Sequence, residues 1–189
     1  INGAHKIDGK DVVPYTGGSP NEPGQPTERV YFIDDTLDGQ YISNVEYTSP
    51  WNIEIDTVYD ILDNAADTDP NYVTRTHFGN DTSGLPIYLY DLNPGTRMAN
   101  GRSIQIPKIP VTSVHGFEAP AVLGAVKFFE DLILNWKSND LLRTLRWNVR
   151  FLYIPTINPY GFNTRERRNA NGVDLARNFS DGWNQNGDN

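Results

Sequence analysis

The run from Ile104 to Trp136, IQIPKIPVTSVHGFEAPAVLGAVKFFEDLILNW, decides the architecture. Up to His115 it is rich in β-branched and apolar residues, with Pro107 and Pro110 near its start, and this predicts a strand over Ile104 to His115. After it, Val122, Val126, Phe129, Ile133 and Trp136 recur at helical spacing, which predicts one amphipathic helix over Glu118 to Trp136. A strand that turns directly into a long helix is the building unit of α/β proteins, whose ligands gather at the C-terminal ends of strands.

Outward from that unit the same alternation continues. Leu145 to Ile157 is nearly continuously apolar and aromatic and reads as a strand buried on both faces. Upstream, Ile55, Val58, Ile61 and Leu62 fall at helical spacing, with Pro70 as the stop. Tyr72 to Phe78 and Leu85 to Leu92 read as two strands joined by a turn over Asn80 to Gly84. The fold class expected is α/β, with a mixed, mostly parallel sheet and helices on both faces. Residues 1–45 are rich in Gly, Pro, Asp and Thr and are expected to form a connector, with one short strand around Arg29 to Ile33. Residues 46–189 are expected to be the N-terminal portion of a domain truncated at its C-terminal side. Ile1 is not Met, and Ser180 to Asn189 is almost entirely polar.

Composition excludes several functions. Sixteen Lys and Arg against 24 Asp and Glu leave a net charge of −8, which disfavours nucleic acid as a partner. There is no cysteine, so neither disulfides nor thiolate chemistry enter. No apolar stretch reaches the length of a membrane span. Asp34, Asp35, Asp38, Asp67 and Asp69 lack calcium-loop spacing with a closing Glu and read as solvated acidic loops. Trp51, Trp136, Trp147 and Trp183 read as core or core-edge aromatics, with a place on a cleft rim as the alternative for Trp183.

Two segments carry chemistry. In His115-Gly116-Phe117-Glu118, a strand-end imidazole and a carboxylate three residues later can meet on one ion, a combination suited to zinc. The plainer alternative is a chance pair in which Glu118 favours the positive end of the helix. The second segment, Asn158-Pro159-Tyr160-Gly161-Phe162 and then Arg167 to Phe179, follows directly on a buried strand. Its Asn-Pro and Asn-Gly steps predict an ordered loop rather than a helix. It gathers Arg165, Arg167, Arg168 and Arg177, which suit the binding of carboxylates or a developing oxyanion. Alternatively they form a solvated basic face offset by Glu166 and Asp174.

Taken together and in this order, the two segments resemble the zinc carboxypeptidases, peptidase family M14. That family shows His-x-x-Glu after a strand, then Asn-Pro-Asp-Gly, Arg-x-Asn and Gly-Val-Asp-Leu-Asn-Arg-Asn-Phe. The resemblance covers roughly residues 50–183. It implies that His115 and Glu118 are the first two ligands of a Zn2+ ion that activates water and polarises a carbonyl. It further implies that Arg167 polarises the scissile carbonyl and holds the oxyanion, and that Arg177 binds a substrate carboxylate. Asp174 would accept a hydrogen bond from His115 and fix its tautomer.

Three departures accompany the resemblance. Ala176 stands where the family has an Asn that shares carboxylate binding, which loosens strict carboxypeptidase specificity. Tyr160 replaces the Asp of the Asn-Pro-Asp-Gly turn. No histidine follows His115, so the third zinc ligand, the capping Tyr and the general-base Glu are expected beyond residue 189. The expected function is a zinc-dependent peptidase acting on a peptide with a free carboxylate or on a peptidoglycan peptide. The alternative is a non-catalytic structural or binding module, as in a phage tail or a multidomain secreted protein. Either form is expected outside the cell or on a virion, as part of a larger assembly.

Overall fold

A computed structural model of the chain describes residues 5–7, 10–12, 53–99 and 102–178. The strand expected around Arg29 to Ile33, and both Trp51 and Trp183, lie outside the described residues. Strands β1 (His5–Ile7) and β2 (Lys10–Val12) pair antiparallel. Helix α1 (Ile55–Ala66) follows, and it buries Ile55, Val58 and Leu62 as their spacing predicts.

Strands β3 (Val73–Asn80) and β4 (Pro86–Leu92) form the expected hairpin. Its turn is held by Asp81, whose Oδ1 accepts from the backbone nitrogens of Ser83 at 2.8 Å and Leu85 at 3.0 Å, with Gly84 at φ +92° completing it. The single strand expected from Ile104 is divided. Strands β5 (Arg97–Ala99) and β6 (Arg102–Ile104) pair with each other, and β7 (Lys108–Ser113) begins beyond Pro107. Helix α2 (Ala119–Leu134) is the long helix, and it buries Val122, Val126, Phe129 and Ile133; Trp136, also buried, lies in a short 3-10 turn beyond it.

The stretch from Leu145 differs from its sequence reading. Helix α3 (Asp140–Asn148) takes its first residues, and strand β8 (Arg150–Thr156) starts only afterwards. Local signals explain the helix: the Asn139 side chain caps it by accepting from Leu142 N at 3.1 Å, and Leu142, Arg146 and Trp147 share its buried face. The segment after β8 also corrects the loop expectation. Pro159 to Thr164 form a short helix, α4, with Asn158 as its cap, accepting from Gly161 N, and Pro159 in its first turn.

The main sheet has the order β3-β4-β8-β7. It is mixed, as expected, but among the described strands only β7 with β8 is parallel; β3 with β4 and β4 with β8 are antiparallel. "Mostly parallel" is therefore corrected for these strands, because a tight turn joins β3 to β4 without a crossover. Tyr90 and Leu92 of β4 oppose Tyr153 and Phe151 of β8, and all four are buried. Phe129 of α2 stacks on Tyr153 with ring centroids 4.1 Å apart and meets Phe151 edge-on at 5.4 Å. From α1, the Tyr59 carbonyl and the Asp63 carboxylate accept from the hydroxyl of Tyr90. Both α1 and α2 thus cover one face, whereas Leu89, Leu152 and Ile154, which alternate onto the other, are half-exposed.

Candidate active site

Parallel pairing is what brings the two chemical segments together. Ser113 of β7 is opposite Thr156 of β8, and Ile157 N donates to Ser113 O at 3.0 Å, so both strands end at the same edge. His115 lies two residues beyond β7, and Asn158 two beyond β8. Asn158 is fully buried; its Oδ1 accepts from Gly161 N at 3.1 Å and its Nδ2 donates to Arg168 O at 3.2 Å. Beyond it, Asn169 Oδ1 accepts from Asn171 N and Val173 N, both at 3.0 Å, and Gly172 adopts φ +76°. This turn sends the chain back so that Asp174 reaches the imidazole.

His115 is buried, and both its nitrogens face carboxylates. Nε2 lies 3.0 Å from Asp174 Oδ1 and Nδ1 lies 3.2 Å from Glu118 Oε1. Burial alone would raise the Asp174 carboxyl. Hydrogen bonds from Arg167, His115 and the Ala176 amide, together with the Arg167 charge, outweigh it and hold the group at about 2. An ionised Asp174 only accepts, so Nε2 donates to it, and in the neutral imidazole the lone pair is left on Nδ1. That lone pair then faces the Glu118 carboxylate, two acceptors that a proton or a cation must bridge. An imidazole nitrogen and a carboxylate oxygen, brought to 3.2 Å of each other, are donor types that zinc sites use.

The donor chemistry fits zinc, but two ligands do not complete a catalytic site. Among the described residues no group of three or more His, Asp or Glu side chains gathers for a metal. Asp174 is committed to the far side of the imidazole.

The arginines separate into different roles. Arg167 donates through Nε to Asp174 Oδ2 at 2.7 Å and its side chain is 41% exposed. Arg177 is exposed, with a long contact to Ala176 O at 3.4 Å. Arg168 donates to Gly172 O at 3.1 Å. Arg165 is structural: it sits at the end of α4 with φ +61° and its guanidinium donates to the carbonyls of Phe162 and Ile53. The structure therefore brings His115, Glu118, Asp174 and Arg167 into one contiguous set, and Arg165 lies outside it. A cavity of about 450 Å3 opens beside His115 and Glu118, walled by Val111, Val122, Ala125 and Tyr153, with Ala176 on its lining.

Two features escaped the sequence reading. Phe117, between the two candidate ligands, stacks on His115 with centroids 5.8 Å apart and remains 39% exposed. Gly116, expected to permit a sharp turn, does not have positive φ; its missing side chain makes room for the backbone of Gly161.

The sheet and its covering helices match part of the metallocarboxypeptidase fold. Thrombin activatable fibrinolysis inhibitor superposes with a TM-score of 0.60 at 16% identity, over 75% of this chain and 39% of that one. Metallo-carboxypeptidase from Burkholderia cenocepacia gives 0.53 at 21%, over 65% and 31%. Carboxypeptidase A from Helicoverpa armigera gives 0.51 at 23%, over 80% and 39%. Residues 58–189 match the zinc carboxypeptidase family, peptidase M14, and the chain belongs to that family. Carboxypeptidase SOL1 of Arabidopsis thaliana is 30% identical over 105 residues, which are 54% of this chain. The chain spans 20% of that protein's length.

Proposed function

We propose that the protein is a zinc-dependent peptidase whose first two metal ligands are His115 and Glu118. The observation that carries this reading is the convergence of Nδ1 and Glu118 Oε1 at 3.2 Å, with Asp174 bonded to the opposite nitrogen. Family membership supports a peptidase as the class. Bound zinc would supply Lewis acidity toward the scissile carbonyl and lower the pKa of an attacking water.

The chain's own residues do the rest of the work assigned to this segment. Asp174 keeps the imidazole proton on Nε2 and leaves Nδ1 basic. Arg167, anchored through Nε, offers its terminal amino groups to the carbonyl oxygen as negative charge develops there. Arg177 binds a carboxylate of the substrate, a peptide with a free C-terminus or a cell-wall peptide. Ala176 has no side-chain amide to share that duty, so carboxylate binding is weaker than an Asn there would provide.

The test is elemental analysis and peptide hydrolysis by the full-length protein, comparing wild type with His115→Ala. About one zinc per chain, lost together with hydrolysis in the variant, is the expected result. Zinc in neither protein would overturn the reading in favour of a non-catalytic module that keeps the fold.

A further inference from the structure

We propose that Asp174 is a positioning residue for Arg167 as well as for His115, so that one carboxylate places both the metal-facing imidazole and the carbonyl-facing guanidinium. The roles of the two partners rest on the peptidase reading above. Asp174 is suited to the task because its own position is determined: its side chain is only 9% exposed, and Oδ1 accepts from Ala176 N at 3.0 Å at the start of a short 3-10 turn. Oδ1 also takes His115 Nε2, which leaves Oδ2 for Arg167.

The arginine atom used is informative. Asp174 binds Nε, the innermost donor of the guanidinium, at 2.7 Å. The terminal Nη1 and Nη2 make no hydrogen bond to another of the described residues. An arginine that merely neutralised a neighbouring carboxylate would favour the two-pronged contact that engages a terminal nitrogen as well. Holding it by Nε fixes the plane of the fork and leaves its open end, on a side chain 41% exposed, for another ligand. The two partners of Asp174 come from segments 59 and 7 residues away, so the carboxylate couples the two motifs directly.

The first test needs neither metal nor turnover. In the metal-free full-length protein, the Nε–H resonance of Arg167, identified by its loss in Arg167→Lys, should be protected from solvent exchange and should become fast-exchanging in Asp174→Ala. Equal exchange in the two would overturn the proposal. The second test is chemical rescue in the zinc-loaded protein. Arg167→Ala should lose about 100- to 1,000-fold in kcat, and added guanidinium should restore part of it. The same guanidinium should restore none in Arg167→Ala/Asp174→Asn, and equal rescue in both backgrounds would overturn the clamp. A wild type without zinc or hydrolysis would sink the peptidase reading and leave the exchange comparison to decide the clamp by itself.

Discussion

Gly116 and Gly161 meet backbone to backbone: a Cβ on Gly116 would stand 1.8 Å from the carbonyl carbon of Gly161 and 2.0 Å from its oxygen. One residue follows the candidate ligand His115 and the other lies in α4, so this contact clamps the two motifs together. No flexible side chain is available to yield.

Gly116→Ala should therefore force the motifs apart. Overpacking costs typically 1 to 3 kcal/mol, and against rigid backbone we expect about 3 kcal/mol in urea unfolding of the full-length protein. A midpoint unchanged from wild type would show that the two segments are not packed in this way.

Asp81 ties the β3–β4 turn to α4, since its Oδ2 also accepts from Tyr160 N at 2.8 Å. Desolvation pushes its carboxyl up, but hydrogen bonds from Ser83, Tyr160 and Leu85 win and lower it. A carboxyl lowered on folding adds stability above its unfolded value of about 3.9, and that stability fades as pH falls toward the lower folded value. Asp81→Ala should cost roughly 1.5 to 3 kcal/mol at pH 7, with the gap to wild type narrowing below about pH 4. A gap independent of pH down to unfolding would sink this account.

Arg146 is buried inside an aromatic box, its guanidinium 3.7 Å from the centroid of Tyr72 and near Trp136 and Trp147, and it is paired with Asp69. Removing only Asp69 leaves a buried charge without its partner, which costs about 3 to 5 kcal/mol. Arg146→Met removes the charge and keeps most of the volume, so it should cost less. Chemical unfolding followed by tryptophan fluorescence should rank Asp69→Ala below Arg146→Met in stability. The reverse order would mean that the cation–ring contacts outweigh the ion pair.

Among the described residues the Arg177 side chain, which is exposed, makes one long contact, so it contributes little to their packing. Arg177→Ala should leave stability within about 0.5 kcal/mol of wild type. If it binds a terminal carboxylate, kcat/KM should fall about 10- to 100-fold for peptides with a free C-terminus. Amidated peptides should be cut by both proteins at similar rates. Equal losses on the two substrate types would argue for internal cleavage.

Much of the fold was legible because its signals are local. The stripe through Val122, Val126, Phe129 and Ile133 needs only helical periodicity, and the β3–β4 turn needs only Asp81 and Gly84. The misread segments failed for local reasons too. Leu145 to Val149 is apolar enough for a strand, and only the Asn139 cap upstream marks it as the end of a helix. At Asn158-Pro159 the same residue types serve turns and helix starts, and α4 forms because Asn158 caps it from a fully buried position.

Asp69 shows the limit of composition. It read as solvated acidic loop, yet it pairs with an arginine 77 residues away that is itself buried.

By itself the sequence determined the α/β alternation and offered His115 and Glu118 as a candidate pair, because residues three apart across a strand-to-helix turn can be neighbours. It also determined the motif order that identifies the family. Only the tertiary structure decided that Asp174 holds His115 and Arg167 at once, that Arg165 belongs to the scaffold, and that Gly116 is small for the sake of Gly161. The physical reason is distance along the chain: the contacts of His115 with Asp174 and of Gly116 with Gly161 arise where parallel β7 and β8 end side by side, and nothing local encodes that edge.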